Sequence, residues 1–324
     1  APAELAPTAR RLTEAAALAC RSWIGRGDKN AADAAAVDAL HNAFADAPFR
    51  GQVVIGEGEK DGAPYLAPGE HVGLGETPSI DIAVDPLEGT RLVADGAPGA
   101  LAVLALTPAG SMRPLGRAFY MQKLIGPPAA AEALDLDAPP PTVVHDVAAT
   151  LEVSPGDLRI AVQDRPRHKA LIRTIQKTGA QVHLFTDGDL SFALHALQGR
   201  TAPSDRAPTD LLWGIGGAPE GMLAAAAQRV LGGAMCMRLA PRSEAERRRL
   251  ARDPALDGAL TRTFTAADLV QTDAVAMALT GVTDGPLLRG IHPAGAPGAV
   301  VTETIVLCSG AASQRVTTRH EHPS

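Results

Sequence analysis

The sequence predicts an α/β protein with a mixed sheet in its N-terminal half and a largely parallel βαβ sheet in its C-terminal half. Between residues 50 and 125, short apolar runs succeed one another, separated by polar, glycine- and proline-bearing turns rather than helices. That is the pattern of neighbouring strands in an antiparallel or mixed sheet. Beyond residue 146 each apolar run of strand length is followed by a helix-length segment, the rhythm of βαβ units. A third observation places the chemistry. The acidic segments GEGEKDG at 56–62 and DPLEGT at 85–90 each directly follow a run that reads as a buried strand, and strand ends are where α/β sheets build their sites.

In chain order, the Ala-rich opening through Phe49 reads as two helices split by the turn GRGDKN at 25–30. Val37, Leu40 and Phe44 fall on one stripe of the second helix, and Asp33 lies four residues before Val37 on that stripe. A carboxylate there needs a partner or a helix-dipole contact, and the residues alone leave both open. Strands are expected at 52–55, 80–84, 100–106 and 117–124. The segment DAPPPTVVHD at 137–146 is read as a junction between halves 1–145 and 146–324, its three prolines excluding helix and central strand. LRIAV (158–162), QVHLF (181–185) and DLLWGIG (210–216) then each precede a helix. The stretch 199–208 is expected to be a surface loop, 243–251 a helix, and GAVVTETIVLCSG a closing strand or hairpin.

A chain of 324 residues with 46% hydrophobic content can bury a large core. A formal charge of −6 with dispersed Lys and Arg, together with 3% aromatic residues, argues against nucleic-acid binding. No basic-then-apolar leader or membrane-spanning run occurs, so no membrane association is expected. Three scattered cysteines without metal-binding spacing fit a reduced cytoplasm. The basic run RSEAERRRLAR at 242–252 interleaves Glu and Leu at helical spacing, which favours a solvated helix face over a phosphate or effector patch.

Glu57, Glu59, Asp85 and Glu88 crowded at strand ends call for a hard cation, Mg2+ or Mn2+, that completes its shell on substrate phosphate. QDRPRHK at 163–169 offers Arg165, Arg167, His168 and Lys169 for gripping phosphate. TDGDL at 186–190 offers Asp187 and Asp189 as acceptors for sugar hydroxyls, with Gly188 for a sharp turn. GIGGAPEG at 214–221 opens a helix with Glu220 in its first turn, and it fits neither a Walker loop nor a dinucleotide fingerprint.

DPLEGT resembles the signature of the metal-dependent, lithium-sensitive sugar phosphatases. Together with GRGDKNAAD, VVIGEGEKDGAP, IDIAVDPLEGTR, PRH, DGD and GIGGAPEG, it resembles the class II fructose-1,6-bisphosphatases from about Glu14 to about Ile305. The resemblance implies a layered α/β/α/β/α sandwich and hydrolysis of the 1-phosphate of fructose 1,6-bisphosphate, in gluconeogenesis or the Calvin cycle. It also implies a homo-oligomer, dimer or tetramer. Sedoheptulose 1,7-bisphosphate is an alternative or additional substrate. An inositol or sugar monophosphatase would not need Arg165 and Arg167, and a non-catalytic sensor would not need the full set of carboxylates.

By the same resemblance Asp33, Glu57, Asp85, Glu88 and Glu220 are metal ligands, Asp33 and Glu57 for one ion, Asp85 and Glu88 for a second. Glu88, Gly89, Thr90, Tyr120, Arg165, Arg167, Asp187, Gly188, Asp189 and Gly217 are expected at the substrate. Arg165 replaces a Lys common in the family. Thr90 is expected to orient the attacking water, and Asp61 or Glu59 to take its proton. Lys29 either neutralises developing charge or is a solvated turn lysine.

Overall fold

A computed structural model describes residues 1–56, 65–200, 208–256 and 258–321. The chain opens with helix α1 (Pro2–Cys20), whose Leu5, Ala9, Leu12, Ala16 and Cys20 form a buried stripe at helical spacing. Helix α2 (Lys29–Phe44) begins after Asp28, whose carboxylate accepts the Ala31 N–H at 3.0 Å, and buries Val37, Leu40 and Phe44. Then come β1 (Arg50–Ile55), β2 (His71–Val72), β3 (Ser79–Glu88), α3 (Thr90–Asp95) and β4 (Leu101–Pro108).

The second stretch contains β5 (Tyr120–Gly126), α4 (Pro140–Thr150), β6 (Arg159–Gln163), α5 (Lys169–Gln176) and β7 (Gln181–Phe185). It continues with α6 (Leu190–Gln198), β8 (Leu211–Gly217), α7 (Ala218–Leu231), β9 (Ala234–Leu239), α8 (Glu244–Leu250) and α9 (Ala266–Leu269). The last strands are β10 (Ala276–Gly281), β11 (His292–Pro293), β12 (Val300–Cys308) and β13 (Gln314–His320).

The protein is α/β with two mixed sheets. Residues 1–114 and 270–324 form one compact unit, residues 115–269 the other. In the first unit, among the described residues, eight strands run in the order β11-β12-β10-β4-β3-β1-β2, with β13 paired to β12. Among the described residues of this sheet, only β1 and β3 are parallel neighbours. β3 and β4 are buried along almost their whole length, which is why they read as continuous apolar runs rather than alternating ones. The segment expected as a closing strand or hairpin is the single strand β12, and β13, beyond that segment, pairs antiparallel with it.

In the second unit the order is β7-β6-β8-β5-β9. β7, β6 and β8 are parallel, as the βαβ rhythm predicts, and β5 and β9 join antiparallel to β8 and to β5. Two expectations are corrected here. The division at 145/146 fails because β5, read with the first half, pairs with β8 and β9, while β10 and β12 extend the first sheet from β4. The triple proline does not exclude a helix: Pro140 and Pro141 start α4, where the first-turn N–H groups would have had no intrahelical acceptor. The expected helix at 243–251 is α8, capped by Ser243, whose Oγ accepts the Glu246 N–H at 3.1 Å, and mostly exposed.

Candidate functional site

In the first unit the chemistry collects at the C-terminal end of β3. Asp85 and Glu88 are 7% and 4% exposed. Residues three apart on a regular strand point to opposite faces, but the β3–β4 register shifts between these two positions. That irregularity re-aims the side chains, and one carboxylate oxygen of each lies within 4.8 Å of the other. Asp85 also accepts the Leu87 N–H at 3.1 Å. Gly89 follows in a left-handed conformation, φ 89°, which a side chain would resist, and forms the N-cap of α3. Thr90 is therefore the first helical residue, half-buried beside the two acids in sequence.

Asp33 lies half-buried on α2, which packs against β3 and α3, but it is not part of the close carboxylate group. Its charge helps to push the buried Cys20 thiol up, burial being the larger cause. Lys29 is exposed in the first turn of α2. Glu57, Glu59 and Asp61 fall outside the described residues. Two buried acids held this close repel each other unless a proton or a cation lies between them. Hard oxygen donors of this kind suit Mg2+ or Mn2+.

In the second unit, the remaining expected residues gather at one edge of the sheet. Arg165 and Arg167 follow β6, Asp187, Gly188 and Asp189 follow β7, and Gly217 ends β8. Tyr120 starts the antiparallel β5 directly opposite Gly217 in register. Gly188 turns the chain with φ 77°. The Arg167 guanidinium lies 5.8 Å from the centre of the Tyr120 ring and that of Arg242 5.9 Å from it. Arg165 is 3.9 Å from Asp187. Burial, then Arg242 and Arg165, depress the proton affinity of Arg167. Two guanidinium groups at one phenol, with Arg165 near enough to oppose the charge of Arg167, make a site for a multiply charged anion.

Behind this edge Lys123, 1% exposed on β5, donates to the Asp189 carboxylate at 2.8 Å. A Cβ on Gly216 would stand 2.2 Å from that carboxylate, and one on Gly217 would stand 1.9 Å from the Glu220 carboxylate. The glycines of GIGG are thus the space in which these acids sit. A cavity of about 10 Å3, no larger than one water needs, lies among Lys123, Gln163, His168, Asp189 and Gly216.

Lys123, His168 and Arg242 are functional candidates that sequence reasoning missed or misread. Lys123 is hidden in an otherwise ordinary strand, RAFYMQKL. Its signal was a charge inside an apolar run, which needs a partner when buried. Arg242 was assigned to a solvated helix, but it precedes α8 and turns back to Tyr120. His168, grouped with the phosphate-gripping side chains, is buried instead. Lys169 is exposed.

The family model described as bacterial fructose-1,6-bisphosphatase, glpX-encoded, matches residues 3–321. The chain belongs to that family. It is 40% identical over 322 residues to a Synechococcus protein named D-fructose 1,6-bisphosphatase class 2/sedoheptulose 1,7-bisphosphatase, covering 92% of this chain and 90% of the relative. It is also 40% identical over 314 residues to fructose-1,6-bisphosphatase 1 class 2 of Escherichia coli, covering 94% and 91%. Membership in the fructose-1,6-bisphosphatase family agrees with the resemblance carried by DPLEGT and its companion motifs. Among the described residues no helix is long and apolar enough to cross a membrane.

Proposed function

We propose that the protein is a phosphoric monoester hydrolase that removes the 1-phosphate of fructose 1,6-bisphosphate, giving fructose 6-phosphate and phosphate. The observation that carries this reading is the pair Arg167 and Arg242 at the Tyr120 ring, with Arg165 close enough to Arg167 to oppose its charge, in a chain whose relatives are named for a bisphosphate. Such a grip suits the phosphate that does not react. Its binding energy orients the reacting end, and a monophosphatase has no use for it.

Asp33 and Glu57 would hold one Mn2+ or Mg2+ ion and Asp85 and Glu88 a second, with Glu220 a further metal ligand. When bound, such ions would supply charge neutralisation at the phosphate and a water of lowered pKa. Thr90 would orient an attacking water through its hydroxyl, Asp61 or Glu59 would accept a proton, and Lys29 would offset charge on the phosphate. Asp187 and Asp189 accept hydrogen bonds from the sugar hydroxyls, and the Lys123 ammonium, donating to the Asp189 carboxylate, holds that side chain in place.

The Synechococcus relative's double name favours sedoheptulose 1,7-bisphosphate as a second substrate. The three described cysteines, free and buried, suit a reducing cytoplasm, where a homo-oligomeric enzyme completes the reading. The test is phosphate release from fructose 1,6-bisphosphate, sedoheptulose 1,7-bisphosphate and inositol 1-phosphate, with chelator, Mg2+ or Mn2+. Activity on the bisphosphates that chelation abolishes and either ion restores is expected. Full activity in metal-free protein, or preference for inositol phosphate, would overturn the reading.

A further inference from the structure

The ladder between β6 and β8 pairs Ile160 with Leu211 and Ala161 with Leu212. Farther along β8, the backbone of Ile215 bonds to side chains of the turn after β6. The Ile215 N–H donates to His168 Nε2 at 2.8 Å, and the Ile215 carbonyl accepts from Arg167 Nε at 3.2 Å and Nη2 at 2.6 Å. Arg167 Nη2 also donates to Gln163 Oε1 at 2.8 Å. On its other side His168 Nδ1 lies 2.7 Å from the Gln163 carbonyl. A carbonyl only accepts and an N–H only donates, so Nδ1 carries the proton and Nε2 is bare. The ring is 2% exposed and packs onto Gly214, where a Cβ would stand 3.1 Å from two ring atoms.

We propose that His168, as the neutral Nδ1–H imidazole, is a positioning residue for Arg167: it fixes Ile215, whose carbonyl holds the guanidinium at the Tyr120 ring. This rests on the reading of Arg167 as a partner of the non-reacting phosphate. The charged groups facing the ring reinforce its neutrality. Arg167, Arg242 and Arg165 oppose a further positive charge, and Lys123 and Asp189 across the small cavity are already paired with each other. Protonation at Nε2 would also set N–H against N–H and release Ile215.

Two substitutions separate the ring's two bonds. Gln reaches the Nε2 position and can accept from Ile215, whereas Asn reaches only the Nδ1 position. His168→Asn should raise KM for fructose 1,6-bisphosphate about tenfold with kcat within about twofold, and His168→Gln should restore KM to within about threefold. Independently of turnover, 15N-edited imidazole spectra of the intact protein should show an Nδ1–H neutral ring from pH 8 to 6. A wild-type KM in His168→Asn, an equal loss of kcat and KM in both variants, or an Nε2–H ring would each overturn the proposal. If His168→Asn fails to fold, the Gln variant and the spectra decide. If no bisphosphate is hydrolysed, the functional reading fails instead, and the spectra still test the tautomer.

Discussion

Thr90 occupies the first helical position of α3, with Gly89 in the cap position before it. Loss of a helix cap costs about 1 kcal/mol of stability, a cost that the structure assigns to residue 89 rather than 90. Thr90→Ala is therefore expected to lower kcat by about a hundredfold or more while leaving the melting temperature nearly unchanged. Thr90→Ser, which keeps the hydroxyl, should retain much of the activity. Steady-state kinetics and a thermal melt of both variants check this, and an early melt with normal turnover would remove Thr90 from the chemistry. Gly217 poses the complementary case. A methyl group there occupies the place of the Glu220 carboxylate, the flexible end of a side chain that can swing away without disturbing the fold. Gly217→Ala should then raise the Mn2+ concentration needed for half-activity by about tenfold or more with little change in melting temperature. At this scale DPLEGT, PRH, DGD and GIGG were legible as motifs because each is a short contiguous run that stands out without knowledge of its distant partners. What stayed hidden were residues defined by such partners. Lys123 matters because Asp189, 66 positions away, meets it, and His168 because Ile215 does.

Elements were legible where one periodicity held. α1 and α2, the three parallel strands β6 to β8 and strand β12 all fall within a few residues of where apolar spacing put them, whereas the polar, exposed β13 carries no such signal. The failures came from position-dependent rules. Proline was treated as a breaker at Pro140 and Pro141, although a helix's first turn has N–H groups to spare. Strand β5 was sorted by its place in the sequence, although its partners come about a hundred residues later, in β8 and β9. The loop expected at 199–208 falls mostly outside the described residues, but Arg200 at its start is held to Asp210, just before β8. Arg200 Nε and Nη2 donate to the two carboxylate oxygens of Asp210 at 2.6 and 2.7 Å. Asp210 also accepts the Arg159 N–H at 2.8 Å. The pair is buried, with Arg200 and Asp210 side chains 8% and 1% exposed. Removing one partner strands the other, so Asp210→Ala should cost about 3–5 kcal/mol in urea unfolding. A loss below about 1 kcal/mol would mean that the pair contributes little.

For the molecule as a whole, acid should be destabilising in a defined window. Burial lowers the proton affinity of His168 and of His195 in the folded chain from the ordinary value of 6.5. The unfolded chain then binds more protons than the folded one as pH falls through about 6.5, so stability present above that pH declines below it. Thermal melts from pH 8 to 5 should show this decline, and His168→Gln should flatten it. Equal slopes in both proteins would assign the effect to other groups. The division of the chain has a different consequence, for the order in which the protein can be made. β4 ends at residue 108, and its sheet neighbour β10 begins at residue 276, with all of the second unit encoded between them. At about 5–20 residues per second of synthesis, the apolar edge of β4 waits roughly ten to thirty seconds for its partner. The second unit, contiguous in sequence, emerges whole during that interval. Nascent chains arrested before residue 276 leaves the ribosome should therefore resist protease within residues 115–269 while remaining cleavable around β4. Protection of both regions at that stage would show that the first sheet closes without β10. An open strand edge held for that long invites pairing with another chain, which makes translation speed across the inserted unit a determinant of how much protein reaches its native state.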